Sequence, residues 1–273
     1  MNDIKKVINR KEILKCKTIV QKKADEYSTQ VLVKTEDGSD MYGSGIHIEF
    51  KETIYLITCE HVVRKAKYVF ANPPITKDLL PRIEQDGKRY ACNIMAVNRK
   101  SDIAVLNYSR HEDMVGAIPF NIDNQVNYTN QIINSHIGLA VYIHGVPKFN
   151  MEIIELSNSQ YLMDSLTYTA IGGVTKASND WIQCDFAEKE AGENPLINLD
   201  DDFLELSGGS RDIKGMSGSG LWCFNQGNIL TFLGLLSHKD KSNIDNDQHL
   251  INFVPVWKIL IQIKKLTNKV SSK

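Results

Sequence analysis

The sequence predicts an all-β fold, arranged as a sandwich or as barrels. Short apolar segments recur along most of the 273 residues, and turn-forming residues separate them. Helical periodicity is confined to the two ends of the chain. Hydrophobic residues at 42% and charged residues at 24% are ordinary for a protein with a substantial core.

A helix and five strands are predicted in the first half of the chain. Residues 9–25 mix apolar residues such as Ile13, Leu14, Ile19 and Val20 with Lys and Glu, which favours a helix. Turn residues such as Asp86-Gly87 then punctuate segments rich in β-branched and aromatic residues. The predicted strands are 31–35, 45–50, 54–58, 90–97 and 103–108.

The second half repeats this texture and ends in a helix. The predicted strands are 138–144, 151–156, 166–174, 181–186, 221–224 and 229–236. The last two flank residues 225–228, Asn-Gln-Gly-Asn, which is a hairpin signal. Pro255 then starts a segment that places Val256, Leu260, Ile263 and Leu266 on one stripe, which predicts a C-terminal helix.

Composition excludes several classes of function. With 32 basic and 33 acidic residues the net charge is -1, so no global field favours nucleic acid or a membrane. Residues 1–25 carry +5 and residues 185–205 carry -7, and both runs are interpreted as solvated surface. No apolar run has the length of a signal-peptide core or a membrane span. Five scattered cysteines, with no C-x-x-C pair to suggest a zinc site and no signal peptide before them, predict free reduced thiols in a cytoplasmic protein. No metal or cofactor is expected.

Three segments carry the side chains of a nucleophilic mechanism. Ser217 lies in GMSGSGLW, His61 in IYLITCEHVV and Asp102 in SDIAVL. A serine hydroxyl needs a base within reach, and histidine suits because its ordinary pKa is about 6.5. A carboxylate on the other ring nitrogen fixes the tautomer. The N–H groups of Gly215 and Ser217, on the glycine-rich bend, are candidates for holding an oxyanion.

In this order, T-x-x-H-V, S-D-I-A-V-L and G-x-S-G-S resemble the landmarks of trypsin-like serine peptidases, which have the chymotrypsin fold. Residues 43–46, Gly-Ser-Gly-Ile, resemble the segment before the family's histidine strand. The resemblance covers roughly residues 27–267. It implies two six-stranded antiparallel barrels with the site between them, a closing helix, and the roles of nucleophile, base and orienting carboxylate for the three residues above.

The resemblance also implies a division of the chain. We expect a basic helical extension at 1–26, a barrel carrying His61 and Asp102 at 27–130, a barrel carrying Ser217 at 131–254, and a helix and tail at 255–273. The acidic residues 185–205 are the expected insertion, because the 115 residues from Asp102 to Ser217 exceed the usual separation. The extension is where a regulatory protein partner is expected to bind.

Departures from the family concern activation and specificity. Met216 stands where secreted relatives of trypsin carry the Asp that pairs with a new N-terminus, so that activation route is not expected. Arg211, six residues before Ser217, aligns with the base of the specificity pocket and predicts acidic or small polar side chains at the cleaved position. A one-residue slip puts Asp212 there and reverses the preference. The strand that lines the same pocket is expected to contribute three substrate-binding residues: Ser237, His238 and Lys239.

Each motif alone is also explained by a purely structural role, since Gly and Ser dominate ordinary turns and a lone histidine often ends a strand. Cys59 is interpreted as a buried filler and not as a nucleophile. The histidines other than His61 are interpreted as structural or exposed. Among them His144 is the strongest alternative candidate for the base. Together the motifs predict an intracellular serine endopeptidase acting on a protein or peptide. The alternative is a protease-fold module that has lost turnover and binds peptides or a partner protein.

Overall fold

In the part of the chain that the structure describes, two closed β-barrels lie between a helix near the start and a helix near the end. The computed structural model describes residues 10–71, 88–110, 119–123, 140–146, 153–157, 160–163, 167–185, 215–224, 229–239 and 250–270. Within these ranges, none of the helices combines the length and the apolarity that a membrane span requires.

Six antiparallel strands close the first barrel. They are β1 (Ser28–Thr35), β2 (Asp40–Phe50), β3 (Thr53–Thr58), β4 (Ala66–Ala71), β5 (Lys88–Asn98) and β6 (Ile103–Tyr108). The ladder runs β1-β2-β3-β6-β5-β4 and returns to β1. Alternate residues of β2, namely Ile46, Ile48 and Phe50, are at most 1% exposed, as expected for one face of a strand on a core. A short strand, β7 (Phe120–Asn121), runs parallel to β2.

After β7 the chain starts the second barrel and then returns to the first. β8 (Ala140–Gly145) belongs to the second barrel, whereas the hairpin β9 (Ile153–Ser157) and β10 (Gln160–Met163) pairs through β10 with β5. The sequence division assigned all of residues 131–254 to the second barrel. The hydrogen bonds of this hairpin instead extend the sheet of the first barrel, because the free edge at the start of β5 accepts it.

The second barrel also closes with six antiparallel strands. Besides β8 it contains β11 (Tyr168–Ala177), β12 (Ile182–Asp185), β13 (Gly220–Phe224), β14 (Leu230–Lys239) and β15 (Leu250–Pro255). The order is β11-β12-β15-β14-β13-β8, with β8 pairing back to β11. The prediction of two six-stranded antiparallel barrels is therefore confirmed.

Both predicted terminal helices are present. α1 (Arg10–Tyr27) buries Val20 and Ala24 completely and contacts β1 and β2 of the first barrel and β8, β11 and β13 of the second. The C-terminal helix, Val256–Val270, begins one residue after Pro255, which ends β15. Three residues of its predicted stripe are at most 3% exposed: Val256, Leu260 and Ile263.

An aromatic cluster joins α1 to both barrels. The ring of Tyr27, at the end of α1, lies 5.2 Å from Phe120 and 5.8 Å from Trp222, and the Trp222 ring lies 5.1 Å from both Phe120 and Phe232. Burial of such large rings contributes strongly to the stability of an interface. The helical extension is thus packed into the protein.

Four strands of the structure were not predicted: β4, β7, β10 and β15. In β4 the side chains of Lys67 and Tyr68 are exposed, so the segment lacks a continuous apolar pattern. β7 has only two residues, too few for any period to be visible. These strands exist because neighbouring strands offer them hydrogen bonds, which local sequence does not report.

Candidate active site

His61 lies on a short helix directly after β3. The strand ends at Thr58, and the helix α2 (Glu60–Val63) follows after Cys59. Thr58 Oγ1 donates to Ser44 O at 2.7 Å and so anchors the end of β3 to β2. The His61 side chain remains 35% exposed, which leaves the ring accessible.

Asp102 occupies a backbone conformation that few residues adopt. A single turn of 3-10 helix, Arg99–Ser101, ends at Asp102 with φ 50° and ψ 48°, in the left-handed region. Asp and Asn tolerate this region better than other side chains. The turn is held by Asn98, whose side chain accepts from the Ser101 N–H at 3.1 Å. The result is a carboxylate turned toward α2 at the start of β6.

The carboxylate of Asp102 contacts His61 at two points, the backbone N–H and the ring nitrogen Nδ1. Oδ1 accepts the His61 backbone N–H at 2.9 Å, and Oδ2 lies 2.8 Å from His61 Nδ1. Burial by itself would raise the pKa of Asp102, but hydrogen bonds from His61 and Ser237 and the charge of His61 outweigh it and lower that pKa to about 2. Because the carboxylate is ionised near neutral pH, Nδ1 carries the proton between the two residues. In the neutral ring with its proton on Nδ1, Nε2 carries the lone pair that a base requires.

Ser237 completes the surroundings of Asp102. Its hydroxyl, 3% exposed, donates to Asp102 Oδ2 at 2.5 Å. The pairing of β14 with β15 shifts between Leu236 and His238, so Ser237 is the extra residue of a β-bulge. A bulge re-aims the side chain it contains. Here it directs a hydroxyl of the second barrel onto a carboxylate of the first.

Ser217 lies in a tight loop, residues 215–219, that leads into β13. Gly215 and Gly218 have φ values of +86° and +94°, where side chains other than glycine are strained. A Cβ on Gly218 would also overlap Ser44 O. The Ser219 N–H donates to Met216 O at 2.8 Å and closes the loop around Ser217, whose residue is half-buried.

The segments bearing Ser217 and His61 converge on one carbonyl of β14. Leu236 O accepts the Gly218 N–H at 2.8 Å and the Cys59 thiol at 2.9 Å. Leu236 N–H also donates to Ser219 O at 2.8 Å, which makes the loop an extension of the β13–β14 ladder. The loop of the second barrel and the histidine segment of the first are therefore fixed to the same residue.

A second point of convergence lies at the start of β2. The Ser44 N–H donates to Ser217 O at 2.7 Å. A Cβ built on Gly43 would lie 2.7 Å from Val62, the residue after His61, and 3.1 Å from Ser217 O. Ser217 O and Val62 of α2 thus both lie next to Gly43.

The structure describes some of the remaining predicted site residues and leaves others undescribed. Ser217 Oγ and His61 Nε2 form no hydrogen bond with each other. The N–H groups of Gly215 and Ser217 donate no hydrogen bond to any acceptor among the described residues. Two pocket residues, Arg211 and Asp212, lie outside the described residues, so the pocket prediction stays a prediction. Two more end β14, where their backbones pair with β15: His238 and Lys239.

A thiol, an imidazole and a carboxylate also meet here as a set of metal-ligand types. Atoms of Cys59, His61 and Asp102 lie within 4.8 Å of one another, and zinc binds such groups. Burial, and after it the charge of Asp102, raises the pKa of Cys59 well above its ordinary value, so the thiol stays protonated and donates to Leu236 O. Hydrogen bonds already occupy both Asp102 oxygens, so we interpret this set as the hydrogen-bonded surroundings of Asp102.

Sequence reasoning missed Glu60. This carboxylate is 2% exposed and accepts from Arg64 Nη2 at 2.6 Å, while Arg99 Nε lies 3.3 Å from it. Arg64 follows α2 and Arg99 opens the turn that ends at Asp102, so Glu60 ties the histidine segment to the aspartate turn. The available signal was an acid directly before His61 in the largely apolar segment 54–63.

Two other histidines have structural partners, in line with their interpretation. His47 Nε2 lies 2.9 Å from Tyr108 Oη inside the first barrel. His144 is fully buried in β8, with Nδ1 2.7 Å from Thr169 Oγ1 and Nε2 3.0 Å from Asp25 Oδ1 of α1.

The fold resembles that of a solved structure, the serine endoprotease from Yersinia pestis. The two share 17% sequence identity with a TM-score of 0.54, over 92% of this chain and 66% of the Yersinia chain. This chain therefore spans slightly less than two thirds of that protein. No protein-family model matches the sequence, and no curated protein matches it. At this identity the likeness shows a chymotrypsin-like fold.

Proposed function

We propose that the protein is a serine endopeptidase that hydrolyses peptide bonds through Ser217, His61 and Asp102. One observation carries the proposal: Asp102 holds both the backbone N–H and Nδ1 of His61, at 2.9 and 2.8 Å. Unlike the fully buried His144, which also lies beside a carboxylate, His61 keeps 35% of its side chain exposed, and the carboxylate that orients its ring has a pKa of about 2. Perturbed groups of this kind concentrate at functional sites.

The proposed reaction follows from these positions. His61 Nε2 takes the proton of Ser217 Oγ as that oxygen bonds to the scissile carbonyl carbon. The carbonyl oxygen becomes an oxyanion, which the N–H groups of Gly215 and Ser217 stabilise. The intermediate collapses, the C–N bond breaks, and the leaving amine takes the proton from Nε2. Water then attacks the acyl-enzyme by the same route, which releases the acid and regenerates Ser217.

Asp102 and Ser237 act on the base in this scheme. The carboxylate keeps the proton on Nδ1 and stabilises the imidazolium formed when Nε2 is protonated. Ser237 donates to the same carboxylate oxygen and keeps it ionised. We also propose that the enzyme works in the cytoplasm, because its five cysteines are free thiols and a reducing compartment preserves them.

A fluorophosphonate probe tests the proposal, because it phosphonylates only an activated serine. We expect one probe per chain, attached to Ser217 by peptide mapping, and no labelling in Ser217→Ala. Ser178→Ala is the matched control, since Ser178 lies in the turn between β11 and β12 and should label like the parent. Absence of labelling in the folded parent, or labelling at another serine, contradicts the proposal.

One observation bears on the alternative of a binding module without turnover. Ser217 Oγ and His61 Nε2 form no hydrogen bond in this structure. Catalytic hydrogen bonds are often long in unliganded enzymes and tighten with substrate, so this geometry is compatible with both functions. The probe separates them: a binding module would leave Ser217 unmodified while still capturing peptides from a library.

A further inference from the structure

Ser44 has all of its polar groups engaged, with the candidate site and with the residue that follows β8, although the proposed mechanism uses none of them. The residue is fully buried in β2. Its N–H donates to Ser217 O at 2.7 Å, and its carbonyl accepts from Thr58 Oγ1 at 2.7 Å. β2 starts at Asp40, but β3 pairs with it only from Ile46 onward, so the edge of β2 at Ser44 is open. The loop that bears Ser217 occupies this edge.

The hydroxyl of Ser44 connects the same loop to the second barrel. Ser44 Oγ accepts the Val146 N–H at 2.9 Å. Its single proton faces two carbonyl oxygens, Val146 O at 3.2 Å and Gly215 O at 3.3 Å. Val146 directly follows β8, and Gly215 opens the Ser217 loop. The Ser44 side chain of the first barrel thus contacts both the end of β8 and the start of the Ser217 loop.

We propose that Ser44 is a positioning residue that fixes the backbone of the Ser217 loop. It holds two carbonyls of the loop at once, Gly215 O through its hydroxyl and Ser217 O through its N–H. Gly215 has φ +86° and no side chain to restrain it, so its peptide groups can rotate unless a neighbour holds them. Rotation there would turn away the N–H groups proposed to stabilise the oxyanion. The catalytic consequence rests on the proposed function, whereas the positioning itself does not.

The test is therefore read out in two independent ways. Ser44→Ala leaves Gly215 O and the Val146 N–H without the hydroxyl, while the backbone bond to Ser217 O can persist. Hydrogen exchange of the amides in 215–220 should become about 10-fold faster or more, because the loop opens locally. Peptide hydrolysis should lose about 10- to 100-fold in kcat with KM nearly unchanged, since misplaced donors weaken the transition state and not substrate binding.

Two further variants separate hydrogen bonding from packing. Ser44→Cys fills the same space with a weaker donor, so its exchange and kcat should fall between those of the parent and Ser44→Ala. It also serves if Ser44→Ala does not fold. Thr35→Ala is the control: Thr35 is equally a buried strand hydroxyl, donates to Ser39 O at 2.8 Å in the β1–β2 hairpin, and touches nothing in the site. It should leave exchange at 215–220 and kcat as in the parent.

Each outcome bears on one proposal. Unchanged exchange at 215–220 in Ser44→Ala overturns the positioning role, whether or not the parent hydrolyses peptides. A Ser44→Cys variant that matches the parent in exchange overturns the hydrogen-bond argument and leaves only packing. If exchange responds as expected but the parent shows neither probe labelling nor turnover, the positioning role stands and the proposed function falls.

Discussion

The first barrel holds its part of the candidate site through side chains, whereas the second holds its part through the backbone. His61 and Asp102 are joined by carboxylate hydrogen bonds at 2.8 and 2.9 Å. The Ser217 loop is fixed mainly by bonds from main-chain groups, such as Gly218 N–H to Leu236 O and Ser44 N–H to Ser217 O, and the Ser44 hydroxyl is the side-chain contribution that we propose. The two halves of one site are therefore sensitive to different changes.

This difference follows from what each half must present. A base needs a defined tautomer, and a neighbouring charge sets that. A nucleophile and its oxyanion donors need a defined backbone bend, and glycines with positive φ make that bend. We expect substitutions of charge to damage the first half and substitutions of shape to damage the second.

The largest expected effect comes from removing either reacting side chain. Ser217→Ala and His61→Ala should each lower kcat for peptide hydrolysis by about 10⁴- to 10⁶-fold while the circular dichroism spectrum stays unchanged, because each removes the covalent route. Steady-state kinetics on a peptide library measures this, with Ser178→Ala as the control. Cleavage by Ser217→Ala within tenfold of the parent would show that the assignment is wrong.

Removing the charge of Asp102 comes next. Asp102→Asn keeps the shape but lets Nδ1 accept, which places the ring proton on Nε2 and disables the base. We expect a loss of about 10⁴-fold in kcat, with normal probe binding before reaction. Ser237→Ala, which removes a donor to the same oxygen and keeps the charge, should lose far less. Equal losses in the two variants would argue against a tautomer effect.

Changing shape in the second half should cost both stability and activity. Gly218→Ala combines φ +94° with an overlap on Ser44 O, so we expect a loss of about 1–3 kcal/mol in unfolding free energy and a fall in kcat of roughly 100-fold. Gly38→Ala is matched, because φ is +82° but the space is open, and it should cost about 1–2 kcal/mol without affecting kcat. Urea unfolding and kinetics of both variants decide this, and equal kinetics would refute the shape argument.

The smallest expected effect is the dependence of stability on acid. The folded pKa of Asp102, about 2, lies below its ordinary 3.8, so the ionised carboxylate stabilises the fold above about pH 4 and this contribution is lost as pH falls through 2. The parent should therefore lose its stability advantage over Asp102→Asn between about pH 4 and pH 2. Urea midpoints measured across this window give the result. A constant difference would mean that the pKa of Asp102 is not depressed.

Much of the fold was accessible from local pattern. The predicted strands at 31–35, 54–58 and 103–108 are present, because alternation and β-branched residues report a half-buried strand directly. The spacing of apolar residues alone could not show that the hairpin of β9 and β10 joins the first barrel. Strand pairing depends on which strand edges of the folded protein remain open.

What the sequence by itself determined is the set of chemical groups and their order: a histidine after one strand, an aspartate before another, and a serine in a glycine-rich bend. Only the tertiary structure decided which groups surround them. The bulge that turns Ser237 onto Asp102, the buried Glu60 between α2 and the Asp102 turn, and the engagement of Ser44 with the Ser217 loop all join residues distant in sequence. The Ser237 and Ser44 contacts arise from the packing of one barrel against the other, the Glu60 contact arises from the packing of two connections within the first barrel, and no local period encodes them.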